Sequence, residues 1–393
     1  MHRIEELESR TLLNATLTST SVDGPVDTEA TIGKGAARLV RFTDPNGVAG
    51  AATLNGQGIA TLTFTGAGVT ASTSKAGVET VTGIPQSISI ATTGTSIASN
   101  IRITGAVSLA AITTDANIGS VAASRASLTG DLSITGTAGT INLATANSGT
   151  ISVSAAGKSL QLKIGLASGE TVNSAESIGS ISAASWLSGG AITAPTISHI
   201  AVSKELNAEI TATNVGQVVA GSITSSAWSM SGKLSGISAA SITALNLSAG
   251  DIGPITDRGA ANNDAIETSG NIGTIHALSM AGTLIEAGVS TLDAYNLATD
   301  FSANDKITSV TIGKGGFSNS VIDAETLNQV SLGAFSSNNG GIPFGVAASD
   351  ILSFVGTVDG KRLSLTHVVS ATQVAVALRI ADISPNDLAI RIV

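Results

Sequence analysis

Ile178-Gly-Ser-Ile181, Ile197-Ser-His-Ile200, Val215-Gly-Gln-Val218, Leu234-Ser-Gly-Ile237 and Ile252-Gly-Pro-Ile255 repeat one short pattern: two aliphatic residues separated by two small or polar ones. The pattern continues as Ile272-Gly-Thr-Ile275, Val289-Ser-Thr-Leu292, Ile307-Thr-Ser-Val310 and Leu327-Asn-Gln-Val330. Successive copies start 19, 18, 19, 18, 20, 17, 18 and 20 residues apart, a mean of about 18.6. Single matches to so loose a template arise by chance in an apolar chain. The narrow spread of spacings is what signals a repeat architecture.

Outward from this block the phase loosens. Ile118-Gly-Ser-Val121 and Ala138-Gly-Thr-Ile141 lie 20 apart, and Ile59, Val78 and Ile97 lie 19 apart. A last copy, Ile351-Leu-Ser-Phe354, follows 24 residues after Leu327 and leaves room for an insertion at Asn338–Gly345. Between anchors the chain alternates as strands do. Leu128-Thr-Gly-Asp-Leu-Ser-Ile-Thr135 and Ile237–Leu247 place Ile and Leu at mainly two-residue steps, with Ser, Thr or Asn between them. A period near 19 is too short for a strand–helix–strand unit of about 30 residues. It suits two or three short strands joined by tight turns, each coil burying its apolar edge on the next at about 4.8 Å. A sandwich of immunoglobulin type would carry a core Trp and Tyr at regular spacing. Here Tyr295 is the only Tyr, and Trp186 and Trp228 do not repeat.

The expected fold is therefore all-β: a single-stranded parallel β-helix, or β-solenoid, of about 19-residue coils. A right-handed coil is expected, though no residue here decides the hand. The expected organisation is a leader over 1–25, an N-terminal β cap over 26–58, the solenoid over 59–355 and a C-terminal β cap over 356–393. Asp44-Pro-Asn-Gly47 and Val358-Asp-Gly-Lys361 read as turns within the caps. The tail is richer in charge, with Lys361, Arg362, Arg379, Asp382 and Arg391, as an end that shields open strand edges requires.

Composition agrees. Only 12% of the 393 residues are charged and 3% aromatic, yet 42% are apolar and 44 are Gly. Small and β-branched side chains suit thin stacked layers. The net charge of −9 argues against nucleic acid, which is bound by displacing counterions with Lys and Arg. Gly, Ser, Thr and Asn interrupt every apolar run, so no membrane span is expected. The absence of Cys removes disulfides, thiolate nucleophiles and Cys-based zinc sites. Met1-His-Arg-Ile-Glu-Glu-Leu-Glu8 is too polar for a secretory signal.

No cluster specifies a reaction. His199, Glu205 and Glu209 form the densest ionisable group of the repeat, and they are the candidates if the chain is a carbohydrate-active enzyme, a polysaccharide lyase or glycoside hydrolase. The bland reading is a solvated turn. Asp251, Asp257, Arg258, Asp264 and Glu267 read as an exposed acidic loop. His2, His199, His276 and His367 are scattered, so no metal or cofactor is expected. Gly33-Lys-Gly35 and Gly313-Lys-Gly-Gly316 fall short of a phosphate loop, and Thr211-Ala-Thr213 reads as isolated rather than part of a threonine array.

Leu7-Glu-Ser-Arg-Thr-Leu-Leu13 resembles the LEPR-XLL motif near the N-terminus of many large planctomycete proteins, departing from it at Ser9, where the family has Pro. The solenoid that follows also looks like the bodies of such proteins. The resemblance implies an exported or surface-associated protein. Together these point to a non-catalytic structural or adhesive protein of the bacterial cell exterior, extracellular or on the cell surface. Its expected partners are polysaccharide, cell-wall material or a like protein.

Overall fold

The computed structural model describes residues 27–157, 159–288, 301 and 304–393. The leader motif, His2, Val289–Leu292 and Tyr295 lie outside the described residues. Among those described, 36 strands join into one continuous sheet with a single helix, Ala371–Ile380. From Ser87 to Phe354 the coils stack in parallel as a β-solenoid of about 13 turns.

Each coil is built alike. A first strand runs through three inward residues, as at Ile118, Val121 and Ala123. It bends, buries Ala126 and Leu128, turns a corner, and forms a short second strand such as Leu132–Ile134. The repeat anchors stand in register: Ile178↔Ile197↔Val215↔Leu234↔Ile252↔Ile272 in one row, and Ile181↔Ile200↔Val218↔Ile237↔Ile255↔Ile275 in the next. All are at most 2% exposed. Each such side chain contributes about 1.5–3 kcal/mol through burial. A further row lines the second strands, running Ile112↔Leu132↔Ile151↔Val172↔Ile192↔Ile210↔Trp228.

The corners are held by side chains. A backbone N–H that leaves the ladder needs another acceptor. Asn117 Oδ1 accepts from the N–H of Thr137 (2.8 Å), Asn214 from Lys233 (2.8 Å) and Asp251 from Asn271 (2.9 Å), each one coil on. These Asn and Asp residues thus link successive coils.

Two expectations need correction. Residues 59–86 are not parallel coils. Ile59–Thr65 lies antiparallel between Asp27–Gly33 and Ser87–Thr93, Val78–Thr82 pairs in parallel with Leu39–Thr43 of the cap, and coil-on-coil parallel stacking begins with Ser87–Thr93 and Asn100–Thr104. Ala60, Leu62 and Phe64 face the core there, so Ile59 points out, as does Ile97. Ile272 pairs directly with Ile307. The C-terminal cap is not purely β. Lys361–Val368 folds back on Phe344–Val358 through the expected hairpin, but Ala371–Ile380 is helical, with the Ser370 hydroxyl accepting from the N–H of Gln373. Aromatic rings close the last coils: Phe317, Phe335 and Phe344 have centroids 5.7–6.1 Å apart.

At the other end, the turn at Asp44 ties cap to coil. The buried Asp44 carboxylate accepts from its own turn, at Asn46 and Val48, and from the N–H of Ser108 at 2.9 Å.

Candidate ligand-binding groove

The first strand of many coils shifts register just after its third inward residue, as between Ala183 and Trp186 and between Val202 and Glu205. Such a bulge bends the strand. Over this bend runs a shallow groove of about 650 Å³, lined from six successive coils. Five rungs of about 4.8 Å make it about 24 Å long. Ala144, Gly165 and Ala184 line its middle, with Asn142, Lys163 and Ser182 along one side. Gly165 is required: a Cβ there would meet the Ala144 carbonyl oxygen at 2.4 Å.

The structure does not bring the three sequence candidates into one cleft. His199 pairs with Gln217 in the first strand, and Glu205 with Ser222 beyond the bulge. Glu209 stands across the corner, opposite Ala191. Glu205 accepts the Thr224 hydroxyl at 2.6 Å, the bond of a structural surface group.

Carboxylates on neighbouring coils do occur elsewhere. Glu267, Glu286 and Asp323 occupy one column of the second strand on successive rungs. Glu286 and Asp323 are fully buried, whereas glycoside hydrolysis needs two carboxyl groups that flank a bound sugar. Among the described residues, no group of three or more His, Cys, Asp or Glu is arranged to hold a metal ion, and no helix is long and apolar enough to cross a membrane.

The acidic stretch read as an exposed loop is instead wound into the coil. Asp257 and Asp264 are 1% and 2% exposed. Burial pushes Asp264 up to about 6, against the N–H of Leu245 it accepts at 2.9 Å and reinforced by the charge of Asp257. Glu170, equally hidden, is pushed up to about 7 by burial, opposed by the N–H of Gly149 and reinforced by Asp131. In each, the second carboxyl oxygen has no hydrogen-bond partner. Sequence reading missed these groups. Each occupies the column before the second strand, where Thr283 and Ser320 likewise accept a backbone N–H from the preceding coil, and that column shows only once the register is known.

Thr211 is likewise not isolated. Thr113, Ser133, Ser152, Asn173, Thr193, Thr211, Ser229 and Ser248 form one outward column over eight rungs, mixed in side chain rather than a threonine array.

Comparison of the chain with protein-family models, curated proteins and solved structures found no match to any of them.

Proposed function

We propose that this chain is a non-catalytic structural or adhesive protein of the bacterial cell exterior, and that its working part is the outer surface of the solenoid. The observation that carries this reading is the long groove itself. It crosses six coils with a floor of small neutral side chains and no pair of carboxylates along it. Such a face makes many weak contacts in series, and avidity comes from their number. Placement at the cell exterior rests on the resemblance of the leader to the LEPR-XLL motif.

Purified protein incubated with a polysaccharide panel tests the reading. Binding without turnover is expected, with Glu205→Gln, Glu209→Gln and His199→Ala each leaving it unchanged. Turnover abolished by one of these substitutions would replace this reading with a carbohydrate-active enzyme. Fractionation of native cells tests the location, and a cytoplasmic protein would refute it.

A further inference from the structure

Charge is segregated around the coil. Among the described residues between Asn100 and Gly288, the exposed ionised side chains from the second anchor of the first strands through the bend that follows are Arg102, Arg125, Lys163, Lys204 and Arg258, while Lys233 and Asp251 stand paired at the corner before the first anchor. The one carboxylate at the rim, Glu205, is half-buried and already engaged by Thr224. The second strands carry the opposite sign outward, at Asp131, Glu209 and Glu267. A chain with net charge −9 thus presents several cations on one face.

Three of these cations follow the groove. Lys163 lines it, and Arg125 and Lys204 directly follow the lining residues Ser124 and Ser203. They stand in the first, third and fifth of its six coils, as the register through Ala122, Asn142, Lys163, Ser182 and Ala201 shows. Their backbones therefore recur about every 9.6 Å along the axis. Lys163 shares the column of Ala122 and Ala201 on one side of the trough, while Arg125 and Lys204 stand three residues further on, at the bend. Cations spaced along both sides of an open trough complement a polymer with spaced anions. The floor suits a sugar chain: Ala and Gly offer contact to C–H faces, while Ser124, Asn142, Ser182 and Ser203 offer hydroxyl and amide partners. It does not suit single-stranded nucleic acid, which relies on aromatic stacking. Among the described residues every Trp and Phe is buried.

We propose that this groove binds an extended anionic polysaccharide, laid parallel to the solenoid axis with its acidic groups against Arg125, Lys163 and Lys204. The proposal rests on the reading of the chain as a binding surface, and it names the partner class and the residues. Exposed ion pairs are individually weak, so affinity should be modest and fall with salt as the screening length shrinks from about 10 Å at 0.1 M to about 3 Å at 1 M.

The test is binding of the full chain to polygalacturonate, with neutral dextran and single-stranded DNA as comparison polymers. The Arg125→Ala/Lys163→Ala/Lys204→Ala variant should bind polygalacturonate about tenfold more weakly. Removing three exposed cations elsewhere, Lys34→Ala/Lys75→Ala/Arg379→Ala, alters net charge equally and should leave binding unchanged. Equal loss in both variants would mean that only net charge matters, and would overturn the proposal. So would unchanged binding in the groove variant, or tighter binding of DNA than of polygalacturonate. Binding of dextran but not polygalacturonate would refute the anionic ligand and leave the surface-binding reading standing. Cleavage of the polymer would remove that reading itself.

Discussion

The inward residues of the coil divide into two kinds with opposite behaviour. Ile200 sits between Ile181 and Val218 in a dry aliphatic row. Ile200→Val should lower stability by about 0.5–1.5 kcal/mol in chemical denaturation. Ile200→Asp should lower it by several kcal/mol, because a charge there has no partner and no water. Damage should concentrate in adjacent coils, read as new protease cleavage sites around residues 180–220. The buried carboxyls respond to pH instead. Glu170 and Asp264 hold their protons more tightly in the folded chain than in the unfolded one. Their protonated forms favour the fold below the ordinary carboxylate range. That contribution is lost as pH rises through about 6 for Asp264 and about 7 for Glu170, and levels off above. A Glu170→Gln/Asp264→Asn variant should therefore melt at a higher temperature than wild type above neutrality, with a flatter profile between about pH 4 and pH 7. An unchanged pH profile would show that these groups ionise freely in the folded state.

At the scale of the element, the coil is the unit of construction. Val215 pairs with Leu234, so deleting residues 215–233 removes one whole turn and leaves Asn214 joined to a residue equivalent to the one lost. The shortened chain should fold, and solution scattering should find its longest dimension reduced by about 4.8 Å. Deleting residues 215–223 alone should prevent cooperative folding, since a partial coil puts every later anchor out of register. The hairpin at Val358-Asp-Gly-Lys361 was legible in sequence because Asp359 and Gly360 both need positive φ, and have 46° and 78°. The antiparallel cap was not. Ile59, Val78 and Ile97 keep the spacing of the repeat, and strand alternation looks alike in antiparallel and parallel pairs. Ser370 and Gln373 do mark a helix start, but the short helix they open lies among strand-forming residues and was read as part of a β cap.

The whole molecule is a stack in which each coil rests on its neighbours, with shielding elements at both ends. Stability comes from repeated rows of aliphatic side chains, linked at the corners by Asn and Asp. A chelator should leave the melting temperature unchanged, because no local set of metal ligands is assembled among the described residues. A large drop would point to an ion within the stack.

The spacing of Ile178, Ile197, Val215, Leu234 and Ile252 alone determined the β-solenoid, since a period near 19 residues admits little other than stacked short strands. Composition fitted it with thin layers of small side chains. Tertiary structure decided what depends on register: the second aliphatic row through Ile151 and Trp228, the direct pairing of Ile272 with Ile307, and the burial of Asp264 and Glu170. It also decided which cations flank the groove. Arg125, Lys163 and Lys204 are 38 and 41 residues apart in sequence and bear no local relation. The stack sets them along one groove, Lys163 on one side and Arg125 and Lys204 at the bend, because in a solenoid lateral position is fixed by phase within the coil, and a one-residue difference in coil length changes which side chains become neighbours.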